Sequence, residues 1–382
     1  MSKYHSKKGV PTKKPESTND NSAKRVARKT IAANKMSIFN SLETHLKNHQ
    51  KTYIIAITFI AFVFSFLSFD NKISTANDDA LYIEAGANYA KNFFGYYYTE
   101  TAPFYPIILS FLIKILGVKL FLLKASSILF FCVALYFIYK AFKDRIPYII
   151  LFPALLLTAI NAQFLVYASL TYTETFSLMM FALALLFFFK VFDKLDQAEY
   201  SLQSNFIHFI LLGFLCFILM ITRNVALAAL GILVVFLIYR KKYIESIISA
   251  GSFVVIYFIY NLALKHIWHL SASQFTSQGS KMFNKDAYQP QLGKETTSGL
   301  VIRFWENCQI YISSRLYFIL GFREEMSPNN IALTLFTIGI VVWSAYLMFS
   351  KKLYALLFST LFFAGLLAAT FISLHTSWGQ SR

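Results

Sequence analysis

The sequence predicts an all-α polytopic integral membrane protein, on three observations: its composition, its long uncharged apolar runs, and the one-sided placement of its basic residues. Of 382 residues, 57% are hydrophobic and only 14% are charged, whereas a soluble domain carries about a quarter charged side chains. A water-soluble core cannot hide that much apolar surface, so lipid must cover it. The net charge of +17 is unevenly spread, with 12 basic and 3 acidic side chains in residues 1–52, ahead of the first apolar run.

That N-terminal segment fits a nucleic-acid-binding arm, a mitochondrial presequence or a cytoplasmic tail, and the positive-inside rule favours the tail. Pro11, Pro15 and many Ser, Asn and Lys residues leave little to bury, so residues 1–52 are expected to be disordered. The first apolar run has no small-residue cleavage site and reads as an anchor. Cys132, Cys216 and Cys308 lie far apart, with neither metal spacing nor a disulfide framework, and read as buried small hydrophobes.

A bilayer core about 30 Å thick needs roughly 20 helical residues to cross. Nine runs qualify: 53–69, 120–141, 146–166, 175–192, 206–222, 225–239, 244–264, 331–349 and 353–373. Two more are ambiguous: 104–117 is short and carries Lys114, and 303–322 carries Arg303, Glu306 and Arg315. Charge decides between them. With a cytoplasmic N-terminus and neither stretch crossing, Lys140, Lys143, Arg145, Lys190, Lys194, Arg240 to Lys242, Lys351 and Lys352 all fall inside. If either stretch crossed, a basic cluster would move outside. Both are therefore expected to be amphipathic or re-entrant segments at the outer interface. The expectation is a multi-pass protein of the cell or plasma membrane with nine spans. Its outer loops fall at about 70–119, 167–174 and 265–330, with the C-terminal end also outside.

Acids are scarce, so those in the outer loops stand out. Asp78 and Asp79 follow the turn-forming Ser74-Thr75-Ala76-Asn77 and precede an amphipathic stretch. Asn77 or Asp78 suits a helix N-cap, but capping does not call for two carboxylates. Adjacent carboxylates repel, an arrangement that equips one of them to accept a proton as a general base. Glu174 sits where the chain turns back into lipid, either as a solvated helix start or as a partner of Asp78 in one external site. Lys124 and Arg223 lie at the outer ends of apolar runs, where they either snorkel to headgroups or bind a ligand. A lipid-linked phosphate is the natural ligand for cations at that depth. His266 and His269 are spaced to share a helix face but have no third ligand nearby, so no metal site is expected. Tyr96, Tyr97 and Tyr98 suit an aromatic belt better than a sugar-stacking platform.

Several of these stretches together resemble a known family. Asn77-Asp-Asp-Ala-Leu-Tyr82, Ala90-Lys-Asn-Phe-Phe-Gly95 and Ala102-Pro-Phe-Tyr-Pro106, leading to Leu116-Gly117, resemble the first external loop of GT-C glycosyltransferases. The pattern is most similar to the protein O-mannosyltransferases and the aminoarabinose transferases. Tyr172-Thr-Glu174 is similar to their second-loop acid, and Trp378-Gly-Gln-Ser-Arg382 to a Gln-x-Arg-Tyr segment after a late helix. The resemblance covers most of 53–382. It departs from the family at Asp79, where Glu is more usual, and at Arg382, beyond which relatives continue with Tyr and further spans. A truncated or partial chain is expected.

The resemblance implies a GT-C-like bundle that moves a sugar from a polyprenyl-phosphate donor to an acceptor glycan, lipid or protein, with inversion and no required cofactor. Asp78, with Asp79, would supply the general base, and Glu174 would orient the acceptor. Lys124, Arg223 and Arg382 would bind the lipid phosphate. A divalent metal is used in the oligosaccharyltransferase branch and is otherwise not called for. Two other function classes compete: a transporter or flippase, which would place charges near the midplane of broken helices, and a non-catalytic scaffold subunit.

Overall fold

The computed structural model describes residues 38–69, 72, 78–270, 282–286, 289–322 and 329–375. Regular structure among them is helical, with one isolated bridge between Asn284 and Lys294. The chain divides into two units, residues 1–50 and 51–382. Within the first, the described part of the expected disordered tail is a helix, α1 (38–48). Ile38, Phe39, Leu42 and Leu46 recur there at helical spacing, which supplies the apolar stripe that a disordered tail lacks. Residues 1–37 lie outside the described residues.

Among the described residues, seven helices are long and apolar enough to cross a membrane. They are α2 (Gln50–Leu67), α5 (Leu120–Phe142), α8 (Thr173–Leu195), α9 (Leu202–Thr222), α11 (Tyr243–Ile267), α14 (Ile331–Ser350) and α15 (Tyr354–Ser373). Each coincides with an expected span. The other two expected spans differ. The stretch 146–166 is a pair, α6 (Tyr148–Ala159) and α7 (Ala162–Ala168), bent by 57°. Asn161 makes the break by capping a new helix: its side chain accepts from the Gln163 and Phe164 N–H groups at 3.0 and 3.3 Å. The stretch 225–239 becomes a 3₁₀ turn, Asn224–Leu227, followed by α10 (Ala228–Tyr239). Those 16 residues reach about 24 Å, short of a full bilayer core.

The two ambiguous stretches also fall short. Between α3 (Asp78–Lys91) and α5 lies α4 (Phe104–Leu116), whose 13 residues span about 20 Å. Gly86 lets α3 and α4 pack tightly, since a Cβ there would lie 3.0 Å from the Leu109 Cβ. The later stretch is α12 (Thr297–Cys308), a π-helical turn at Gln309–Arg315, and α13 (Leu316–Ile319). Arg303 is buried and donates to the Met282 and Asn284 carbonyls at 2.8 and 2.9 Å and to Glu295 at 3.2 Å, which anchors α12 to the preceding loop.

Lipid gives no hydrophobic drive between helices, so close fit must hold the bundle. Phe188, Phe192, Phe236, Phe358 and Phe362 interlock where α8, α10 and α15 meet, with Phe192 and Phe358 centroids 4.8 Å apart. Gly213 brings α9 against α11 so closely that a Cβ would lie 2.2 Å from the Ser249 carbonyl oxygen. Outward, α14 buries only Thr334, and α11 exposes Ile247, Val254, Val255, Phe258 and Ile259. Apolar faces of this extent need lipid. The three cysteines are buried free thiols, Cys132 and Cys216 within apolar runs.

Side-chain pairs sort the turns into two ends. At one, Arg145 pairs with Asp193 and Arg240 with Asp196, while the Arg240 guanidinium lies 3.8 Å from the Tyr354 ring centroid. Tyr239 packs on Phe349 at 5.3 Å. These contacts join the turns after α5, α8, α10 and α14, which carry the basic clusters. The starts of α3, α5 and α8 and the close of α9 and α11 meet at the other end.

Candidate active site

The starts of α3 and α8 supply the acids. Asp78 and Asp79 occupy the first turn of α3, where the helix dipole favours negative charge. Neighbouring helix positions point about 100° apart, and the structure separates the pair accordingly. Asp79 has no exposed surface, and Asp78 is half-buried. Tyr82 stands three residues beyond Asp79, one turn along the same face. The proposed N-cap Asn77 lies outside the described residues.

Glu174 opens α8 and faces Arg223 at the end of α9, with Oε1 and Nη1 3.7 Å apart. Their side chains are 16% and 36% exposed, respectively. Tyr82, on α3, feels the charges of both members of this pair. Burial pushes its hydroxyl above the ordinary tyrosine range and the Glu174 charge adds to that, while Thr101, Arg223 and Thr173 pull against it. Tyr105, from α4, is fully buried with its ring 5.4 Å from Tyr82 and 5.6 Å from Phe176. Burial raises its phenol too, with the Ser127 hydroxyl beside it opposing and the charges of Tyr82, Glu174 and Asp79 reinforcing. Both phenols therefore stay protonated donors at neutral pH.

Lys124 is also fully buried, with Nζ donating to the Lys72 carbonyl. Ser127 lies one turn beyond it on α5, so Lys124 and Tyr105 approach Ser127 from two sides. Tyr105 thus feels the charges of Asp79 and Glu174, Tyr82 those of Glu174 and Arg223, and Lys124 lies one helical turn from Ser127. Arg382 and the rest of 376–382 lie outside the described residues.

Comparison with known proteins matches the chain to no family model and to no curated sequence.

Tyr82, Tyr105, Ser127 and Thr173 are site residues that sequence reasoning missed. Tyr82 had a usable signal in its spacing from Asp79; Tyr105 and Ser127 join only through tertiary packing of α4 on α5. Among the described residues, the buried hydroxyls of Thr171 and Thr175 have no hydrogen-bond partner, and such groups call for water or a ligand. Tyr96, Tyr97 and Tyr98, expected as an interfacial belt, instead pack inward. The Tyr97 hydroxyl meets that of Tyr260 at 2.5 Å, and the Tyr98 N–H donates to Tyr89 at 2.9 Å. Trp268 donates to the Phe93 carbonyl at 3.1 Å. Together they bolt the loop after α3 to the end of α11. Among the described residues, no three His, Cys, Asp or Glu side chains converge on one point.

Chemically, the cluster offers carboxylates that can take a proton, cations that can hold an anion, and phenols that can donate between them.

Proposed function

We propose that this protein is an inverting glycosyltransferase of GT-C type. In this reading it transfers a sugar from a polyprenyl-phosphate donor to an acceptor hydroxyl at the outer face of the membrane. The observation that carries it is the pairing of Glu174 with Arg223 near two phenols that feel Glu174 and the buried Asp79, with the buried Lys124 one turn before Ser127, at one end of an apolar bundle. Charges buried beside lipid are costly, and they mark functional sites by default. The nine-span count belongs to this reading and requires α6–α7 and Asn224–Tyr239 each to cross.

Asp78, half-buried and so reachable, takes the proton of the acceptor hydroxyl. The acceptor oxygen bonds to the anomeric carbon, the bond from that carbon to the phosphate oxygen breaks, and its electron pair stays on the phosphate. Lys124 and Arg223 stabilise the charge that builds there, as would Arg382. Asp79 holds the inner side of the cluster, and Glu174 orients the acceptor. The bent α6–α7 pair would suit a transporter, but 148–168 carry no charged residue to handle a substrate at the break.

The test is Asp78→Asn, with membrane level checked by immunoblot. Loss of general-base catalysis lowers transfer from a radiolabelled polyprenyl-phosphate sugar by about 10²-fold or more. Normal transfer by that variant would remove the base.

A further inference from the structure

The Glu174–Arg223 pair is loose. At 3.7 Å, with Arg223 36% exposed, it exceeds the length of a charge-assisted hydrogen bond, and partly exposed pairs of this kind contribute little. A phosphate offers the same guanidinium two parallel, shorter bonds. Between these competitors the phosphate wins. Glu174 would then face burial without its cation, which is costly unless another donor is present. One is. Tyr82 is buried, feels the charges of both Glu174 and Arg223, and has a hydroxyl held protonated.

We propose that Arg223 is exchanged on substrate binding: the lipid-linked phosphate takes it from Glu174, and the Tyr82 hydroxyl turns to donate to the released carboxylate. This rests on the glycosyltransferase reading above and adds an order of events to it. Donor binding, by moving Arg223, frees Glu174 to engage the acceptor. An acceptor arriving first meets a carboxylate still occupied. Tyr82 is thus a positioning residue, acting through Glu174.

The exchange makes an unusual demand on a site acid. Glu174→Gln removes the competitor for Arg223, so it tightens binding of a lipid phosphate even as it slows turnover. The experiment uses the full chain in detergent, titrated with farnesyl phosphate, with inorganic phosphate as a second arm. Glu174→Gln is expected to bind farnesyl phosphate about two- to fivefold more tightly than wild type, the affinity equivalent of a partly exposed ion pair. Arg223→Ala loses the gain when combined with it. Inorganic phosphate is expected to bind far more weakly; equal affinity would assign the site to free phosphate. Tyr82→Phe, which leaves the released Glu174 without its donor, is expected to weaken farnesyl phosphate binding in the wild-type background but not in Glu174→Gln, and to lower kcat. If wild type binds no farnesyl phosphate, the glycosyltransferase reading fails. If wild type binds it and Glu174→Gln binds it no more tightly, the exchange is overturned while that reading stands.

Discussion

The two ends of the bundle hold charges in opposite ways. At the basic end the two arginine pairs each have one foot in water, with Asp193 60% exposed beside Arg145 and Asp196 49% exposed beside Arg240, and the buried Glu245 beside Lys242 accepts a hydrogen bond from Tyr200. Aromatic rings finish the work there, with Arg145 over Phe189 and Lys242 over Tyr200. Such pairs stitch turns together and cost little to hold. At the other end Asp79 and Lys124 have no exposed surface at all, and Glu174 shares its cation at long range. A structure gains little from charges buried in this manner. The contrast teaches that exposure, more than the number of charges, separates an end stitched by ion pairs from one that holds its charges inside.

That comparison can be broken or sharpened. The largest expected effect is topological: with single cysteines introduced into a Cys-less background, an impermeant thiol reagent added from outside reaches the exposed positions 94 and 100 and does not reach 143. Labelling of 143 from outside would invert the assignment of the two ends. Next comes packing between them. Gly213→Leu forces a side chain into the Ser249 carbonyl, which overpacks α9 on α11 and costs about 1–3 kcal/mol. A lowered melting temperature in detergent is the readout, and an unchanged one would mean that α9 and α11 are not in contact. The smallest effect belongs to the basic end, where Asp193→Asn changes stability by about 1 kcal/mol or less.

Much of this was legible in the sequence. Apolar run length located every long helix to within a few residues, because a bilayer imposes the same length on each. The basic loops named one end in advance, since Lys143, Arg145, Arg240 and Lys352 can be counted without a fold. The break at Asn161 was less visible: a polar residue that caps a helix reads, in a hydropathy window, as a brief dip in one span. Of the site, Asp79, Lys124, Glu174 and Arg223 were legible because charges in apolar surroundings announce themselves. Tyr82 carried a signal only in its spacing from Asp79, and Tyr105 carried none, because tyrosines are common here, 23 in all, and only packing distinguishes it. The inward turn of Tyr97 toward Tyr260, 163 positions away, depends on the same long-range contacts.

The most direct measurement compares the two ends in one assay: transfer of radiolabelled sugar from a polyprenyl-phosphate donor by membranes holding wild type, Asp78→Asn or Asp193→Asn at equal levels. Transfer is expected to fall by about 10²-fold or more in Asp78→Asn and to stay at the wild-type rate in Asp193→Asn. Equal rates in all three, or loss confined to Asp193→Asn, would contradict the account.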